Sequence, residues 1–543
     1  IVTGRAAPEP ATSYDAALAP ESDSAPSTRR TSNVRSLSAV TMIAALTITM
    51  VLASSAAAQS GVVAQDINGD GAGDLLVGVP LEGVAGVSEA GSVNAILSNG
   101  KRLAAKGNRG LAAGVIGLPA ARDDHFGAAV ALADVDGDGF ADAIIGTSGA
   151  AISGVDAAGS IQVIPGSRRG LVTGAARSYA PGLDVVNLPP RPDARFGSTI
   201  VAGDFNRDGI DDVAVAAPFD TVDGQVHAGS VTVISGSARG LQPATAVVLS
   251  QAGEAAGSPE TGDNFGWALT VGDFDGDGHD DLAVGVPGED GGDTVNTGAV
   301  SVFYGSTTGI TTERNRSFSQ RGSIKEVPEG GDLFGFSVAA ADVDCDGRDD
   351  LAVGVPNEGV RGIQLAGYVN IIPGSDAGLR KAGNTKLSQN GKRVAGALDH
   401  NQFGAALVGG DFDGDGCGDL AIGAHTTDIG GDSRSVCTVD PDCIFEAGAV
   451  VVVYGARRWP TTGGTQRFTQ KGPIPGAPQA KDFFGRTLAV VDANGDGRDE
   501  LVVGAPREDV RGIRDAGTAT VLRGTRTGLS ASRSYVLSQA GPI

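Results

Sequence analysis

The sequence predicts an all-β fold, a seven-bladed β-propeller of four-stranded antiparallel blades, on three observations. One nine-residue acidic pattern recurs seven times, its copies stand at nearly constant spacing, and short apolar segments without a helical period flank each copy. Composition agrees: 84 of 543 residues are glycine, aromatics are 5% and apolar residues 41%, which suits many short strands joined by tight turns. A formal net charge of -23 argues against nucleic acid or an anionic membrane surface as partner, since both repel an acidic chain.

The first 58 residues read as processing sequence. Residues 1–33, rich in Ala, Pro, Ser and Glu, cannot bury a core; a non-Met start such as Val34 would leave them untranslated. Residues 34–58 read as a signal peptide: Arg29, Arg30 and Arg35 precede an apolar run from Ala39 to Ala53, and Ala56, Ala57 and Ala58 offer a cleavage site. The run is shorter than the roughly 20 residues that span a bilayer, so no membrane span is expected in the mature chain, which would start at Gln59.

The repeated pattern is D-x-[DN]-x-D-G-x-x-[DE]. Its oxygen-bearing residues are Asp66, Asn68, Asp70 and Asp74; Asp134, Asp136, Asp138 and Asp142; Asp204, Asn206, Asp208 and Asp212; and Asp273, Asp275, Asp277 and Asp281. The remaining copies give Asp342, Asp344, Asp346 and Asp350; Asp411, Asp413, Asp415 and Asp419; and Asp492, Asn494, Asp496 and Glu500. First positions are 68, 70, 69, 69, 69 and 81 residues apart.

Calcium explains the spacing. Ca²⁺ takes six to eight oxygens at about 2.3–2.6 Å, and positions 1, 3 and 5 of a tightly turning loop can converge on one centre. Position 7 would give only its carbonyl oxygen, so Ala72, Phe140, Ile210, His279, Arg348, Cys417 and Arg498 can all stand there. Position 6 is glycine in every copy, as a sharp turn with positive φ requires. The 25 carboxylates of the seven clusters would repel one another without cations, so up to seven Ca²⁺ are expected.

The flanks make each loop a hairpin connection. Ala268–Val271 before the fourth loop and Leu282–Pro287 after it are too short for helices, and Ala299–Tyr304 reads as a third strand. A fourth segment ends in a Gln-x-Gly motif around Gln251, Gln320, Gln389, Gln470 and Gln539. Four strands in about 69 residues make one propeller blade. The blades fall at approximately 59–122, 123–193, 194–262, 263–331, 332–400, 401–481 and 482–543.

Eight residues before the first Asp of copies two to seven stands Phe-Gly: Phe126-Gly127, Phe196-Gly197, Phe265-Gly266, Phe334-Gly335, Phe403-Gly404 and Phe484-Gly485. With the downstream Gly-x-Pro and a further Gly, this resembles the FG-GAP repeat of integrin α-subunit propellers, across residues 59–543. The resemblance implies a four-stranded blade with Ca²⁺ held in the hairpin between its first two strands. Copy one lacks Phe-Gly, and little sequence follows copy seven, so the ring is expected to close by packing blade one directly on blade seven. Copy six has His425 where proline usually stands and carries a 12-residue excess.

That excess contains Cys437 and Cys443, expected to form a disulfide around a five-residue loop. Cys345 and Cys417 lie inside two metal loops and are read as two small thiols rather than a bridge. No catalytic motif accompanies the five histidines, of which His125 and His400 read as blade-edge polar residues. A secreted, periplasmic or cell-surface binding module is therefore expected, a monomer taking an unknown extracellular protein or carbohydrate through loops opposite the metals, such as 288–298 and 426–448. The alternative is an extracellular hydrolase or carbohydrate-active enzyme with its site on the propeller face.

Overall fold

The computed structural model describes residues 65–539 apart from 105–106, 186–187, 253–256, 322–323, 325–326, 361, 390–400, 431–442, 458 and 460–463. The expected leader, His400 and Cys437 therefore lie outside the described residues.

Seven antiparallel sheets follow one another along the chain, six of four strands and the first of three, and within each sheet neighbouring strands are consecutive in sequence. The fourth blade is representative: Ala268–Gly272, Asp281–Val286, Ala299–Phe303 and Asn315–Phe318. Gly272 pairs with Asp281 across the first hairpin, so the metal loop is the hairpin's own connection. Second strands such as Asp281–Val286 are buried along their whole length, because each blade is covered on both faces by its neighbours. Fourth strands are exposed or half-buried up to a buried last residue, and lie outermost. The fold is thus the expected propeller. In the first blade the described strands are Leu75–Val79, Ser92–Ile96 and Arg109–Leu111.

The cores lie between blades rather than within them. Val231 and Val233 of the third blade pack with Phe265, Leu282 and Val284 of the fourth in one buried cluster. All six Phe-Gly phenylalanines are fully buried. Each is latched by the preceding blade: the Phe265 N–H donates to Ala228 O at 2.9 Å, and Phe334 to Thr297 O at 3.0 Å. The glycine after each acceptor permits this approach. Gly298 has φ of +82°, and a Cβ there would lie 2.1 Å from Phe334 O.

The ring closes as expected, by direct packing. Leu75, Val77 and Ile96 of blade one share a buried cluster with Val491, Val502 and Val521 of blade seven. Gln65 Nε2 donates to Val490 O at 3.1 Å, and Leu103 N–H to the Tyr535 hydroxyl at 3.0 Å. The outermost strand of blade seven, Ser530–Leu537, comes from the chain's own end.

Candidate metal centres

Each loop is wound around its first aspartate. One carboxylate oxygen accepts the N–H of the sixth-position glycine in all seven copies, from 2.7 Å at Gly71 to 3.0 Å at Gly416. Those glycines have φ between +75° and +87°, a region that any larger side chain would strain. The closing acid is anchored from behind. Oδ1 of Asp142, Asp212, Asp281, Asp350 and Asp419 accepts the N–H of a glycine that follows the third strand, at 2.8–2.9 Å.

In four loops carboxylate oxygens of positions 1, 3 and 9 come within 4.8 Å of one another: Asp134, Asp136 and Asp142; Asp273, Asp275 and Asp281; Asp342, Asp344 and Asp350; and Asp411, Asp413 and Asp419. In the other three an asparagine stands at position 3; Asn494 Nδ2, for example, donates to Glu500 Oε1 at 2.7 Å. Asp136 Oδ1, Asp142 Oδ2, Asp212 Oδ2, Asp344 Oδ1 and Asp413 Oδ1 are buried with no hydrogen-bond partner. Buried carboxylate oxygens without a donor are what a hard cation's ligands look like in its absence, so the residues fit Ca²⁺.

Electrostatics point the same way. Burial pushes the closing acids far above the usual carboxylate range, with the loop's other charges adding to it: to about 7 for Asp74, Asp142, Asp212 and Asp350, about 8 for Asp419 and Glu500, and about 9 for Asp281. A bound cation would reverse this by favouring the charged form.

The expected fifth-position ligands do not join those four triads. Each accepts the N–H of position 7 instead, as Asp138 does from Phe140 at 3.0 Å. Asp346 and Asp496 also pair with Arg348 at 3.3 Å and Arg498 at 2.6 Å. In the fourth loop Arg314 already sits 2.6 Å from Asp275 Oδ2.

Sequence reasoning missed how the loops are joined. The N–H of position 8 donates to the first aspartate's carbonyl in the preceding blade: Ala141 to Asp66, Asp211 to Asp134, Asp280 to Asp204, Asp349 to Asp273, Gly418 to Asp342 and Asp499 to Asp411, at 2.7–3.2 Å. Gly73 to Asp492, at 2.8 Å, closes the circuit. Where position 8 is aspartate, its carboxylate accepts the same partner's N–H in return: Asp211 from Asp134, Asp280 from Asp204, Asp349 from Asp273 and Asp499 from Asp411, at 2.8–3.1 Å. These are clamps between loops, and the recurrent aspartate at position 8 was their sequence signal.

A second joint corrects the cysteine reading. Cys345 and Cys417 are not free thiols but a disulfide, with Cα atoms 5.0 Å apart. In most copies position 4 of one loop faces position 7 of the next. A Cβ on Gly69 would lie 2.7 Å from Phe140, and one on Gly414 would lie 2.6 Å from Arg498. Cysteines at position 4 of loop five and position 7 of loop six therefore meet, which sequence spacing alone hid. Of the other expected pair, Cys443 is disulfide-bonded, and Cys437 lies outside the described residues.

On the opposite rim, His125 pairs with Glu89 at 3.4 Å, as a blade-edge residue would. His425 is instead buried, with Nε2 at 2.8 Å from Arg486 Nη1. Among the described residues no helix is long and apolar enough to cross a membrane.

A family model for the FG-GAP repeat matches residues 57–93, 126–164, 196–234, 265–303, 334–371, 403–435 and 484–522. Phosphatidylinositol-glycan-specific phospholipase D of Mus musculus is 36% identical over 166 residues, 30% of this chain and 19% of that protein. Integrin alpha-PS2 of Drosophila melanogaster is 31% identical over 250 residues, covering 45% and 15%. Integrin alpha pat-2 of Caenorhabditis briggsae is 30% identical over 268 residues, covering 44% and 19%. The chain thus spans less than a fifth of each of these relatives.

Proposed function

The chain is an FG-GAP repeat protein with seven copies of the repeat, and from that premise we propose that it is an exported calcium-binding propeller that captures an extracellular protein or carbohydrate ligand, as an adhesion module does. The observation that carries the calcium reading is the set of buried, partnerless carboxylate oxygens at Asp136, Asp142, Asp212, Asp344 and Asp413. Positions 1, 3 and 9 of each loop would hold the ion, joined by the position-7 carbonyl and, once drawn inward, by position 5. Calcium supplies charge there, tying hairpins whose carboxylates otherwise repel, and performs no chemistry. Its similarity to integrin α chains supports ligand capture. The rim opposite the metals suits that role, since strand-two to strand-three loops such as 288–298 project there and can vary without disturbing the ion sites.

The test is a glycan and protein array probed with calcium-loaded chain, alongside an assay for released product. Calcium-dependent retention of a ligand without turnover is the expected result. Release of product from a retained ligand would overturn the binding-module reading in favour of an enzyme.

A further inference from the structure

His425 occupies the turn after a second strand where Pro80, Pro218, Pro287, Pro356 and Pro506 stand in other copies. Its side chain is 3% exposed. A guanidinium has only donors, so at the 2.8 Å contact Arg486 Nη1 donates and His425 Nε2 accepts. The imidazole hydrogen must then sit on Nδ1, which is buried and has no partner. Burial, reinforced by the Arg486 charge, holds His425 well below the usual histidine range, so the ring is neutral at physiological pH.

Arg486 is itself half-buried, and a second guanidinium, Arg507, is its charged neighbour; burial and that neighbour both make its charge costlier. Arg507 lies 5.3 Å from the centre of the Phe483 ring, which packs edge-on against His425 with ring centres 5.8 Å apart. Among the described residues no carboxylate is ion-paired with Arg486 or Arg507. A chain with 64 acidic residues has anions in excess, yet leaves these two neighbouring guanidiniums without one among the described residues.

We infer that the corner of blades six and seven on the non-metal rim binds an oxyanion, carboxylate or sulfate, between Arg486 and Arg507, with His425 Nε2 holding the Arg486 guanidinium in position. The guanidinium fork matches either group bidentately. The site lies apart from the calcium loops and does not depend on the ligand-capture reading.

The test uses calcium-saturated full chain, titrated calorimetrically with sodium sulfate and with sodium D-glucuronate at constant ionic strength. Saturable binding of at least one is expected; sulfate alone assigns a tetrahedral oxyanion and glucuronate alone a carboxylate. Arg486→Gln and Arg507→Gln should each weaken it about tenfold or more, the loss expected for a charge-assisted contact. His425→Pro, restoring the residue of other copies, should weaken it as well. Arg507 makes no hydrogen bond to the buried His425, so Arg507→Gln keeps the test decisive should Arg486→Gln fail to fold. No saturable binding of either anion, or wild-type affinity in Arg507→Gln, overturns the assignment.

Discussion

Calcium removal should destabilise the ring in a manner that depends on pH with a definite sign. At a free concentration ten times Kd, each site contributes about 1.4 kcal/mol, so seven sites contribute about 10 kcal/mol. A domain of this size unfolds with an entropy on the order of 1 kcal/mol per degree, so excess EGTA should lower Tm by about 10 °C at pH 8. In the metal-free fold the closing acids are pushed up, to about 7 for Asp142 and about 9 for Asp281, whereas the unfolded chain ionises them near their ordinary values. The folded state then holds more protons, so metal-free stability falls as pH rises from about 4 to 9. Calcium favours the ionised carboxylates and removes that loss. The gap in Tm between calcium and EGTA should therefore widen from pH 5 to pH 8.5, measured by calorimetric melting. An unchanged Tm in EGTA at pH 8, a gap that widens on acidification, or equal rescue by Mg²⁺ at equal concentration would refute the reasoning.

Asp413→Ala removes one of the orphaned ligands; equilibrium dialysis should show one calcium fewer per chain, with Tm lower by about 1–2 °C. Gly298→Ala places a Cβ 2.1 Å from Phe334 O at φ +82°, so chemical denaturation should show a loss of about 3 kcal/mol or more, or no folded protein at all. The Cys345–Cys417 bridge spans 72 residues, so Cys345→Ser should cost about 4 kcal/mol on a chain-entropy account, read from denaturation midpoints. Peptide mapping of exported protein should find an N-terminus at Gln59 and a Cys437–Cys443 link; an intact residue 1 or 34, or freely alkylating thiols at 437 and 443, would contradict those readings.

Much of the candidate site was legible because its chemistry is local. Asp273, Asp275, Asp281 and Gly278 belong to one nine-residue hairpin, where backbone geometry fixes which side chains can converge. The fifth-position aspartates show the limit of such reading, since a nearby N–H or arginine, as at Asp496 and Arg498, offers each carboxylate a competing partner.

The sequence by itself determined the all-β class, the sevenfold count, the strand pattern of each blade and the position of every acidic loop, because these follow from periods and spacings within one repeat. Only the tertiary structure decided how the repeats meet. The Cys345–Cys417 bridge, the circuit of backbone hydrogen bonds from Ala141–Asp66 round to Gly73–Asp492, and the contact of His425 with Arg486 all join residues of different blades. Their partners lie tens or hundreds of residues apart, at distances set by the rotation of one blade on the next, and that rotation is fixed by the packing of buried side chains between sheets rather than by any local signal.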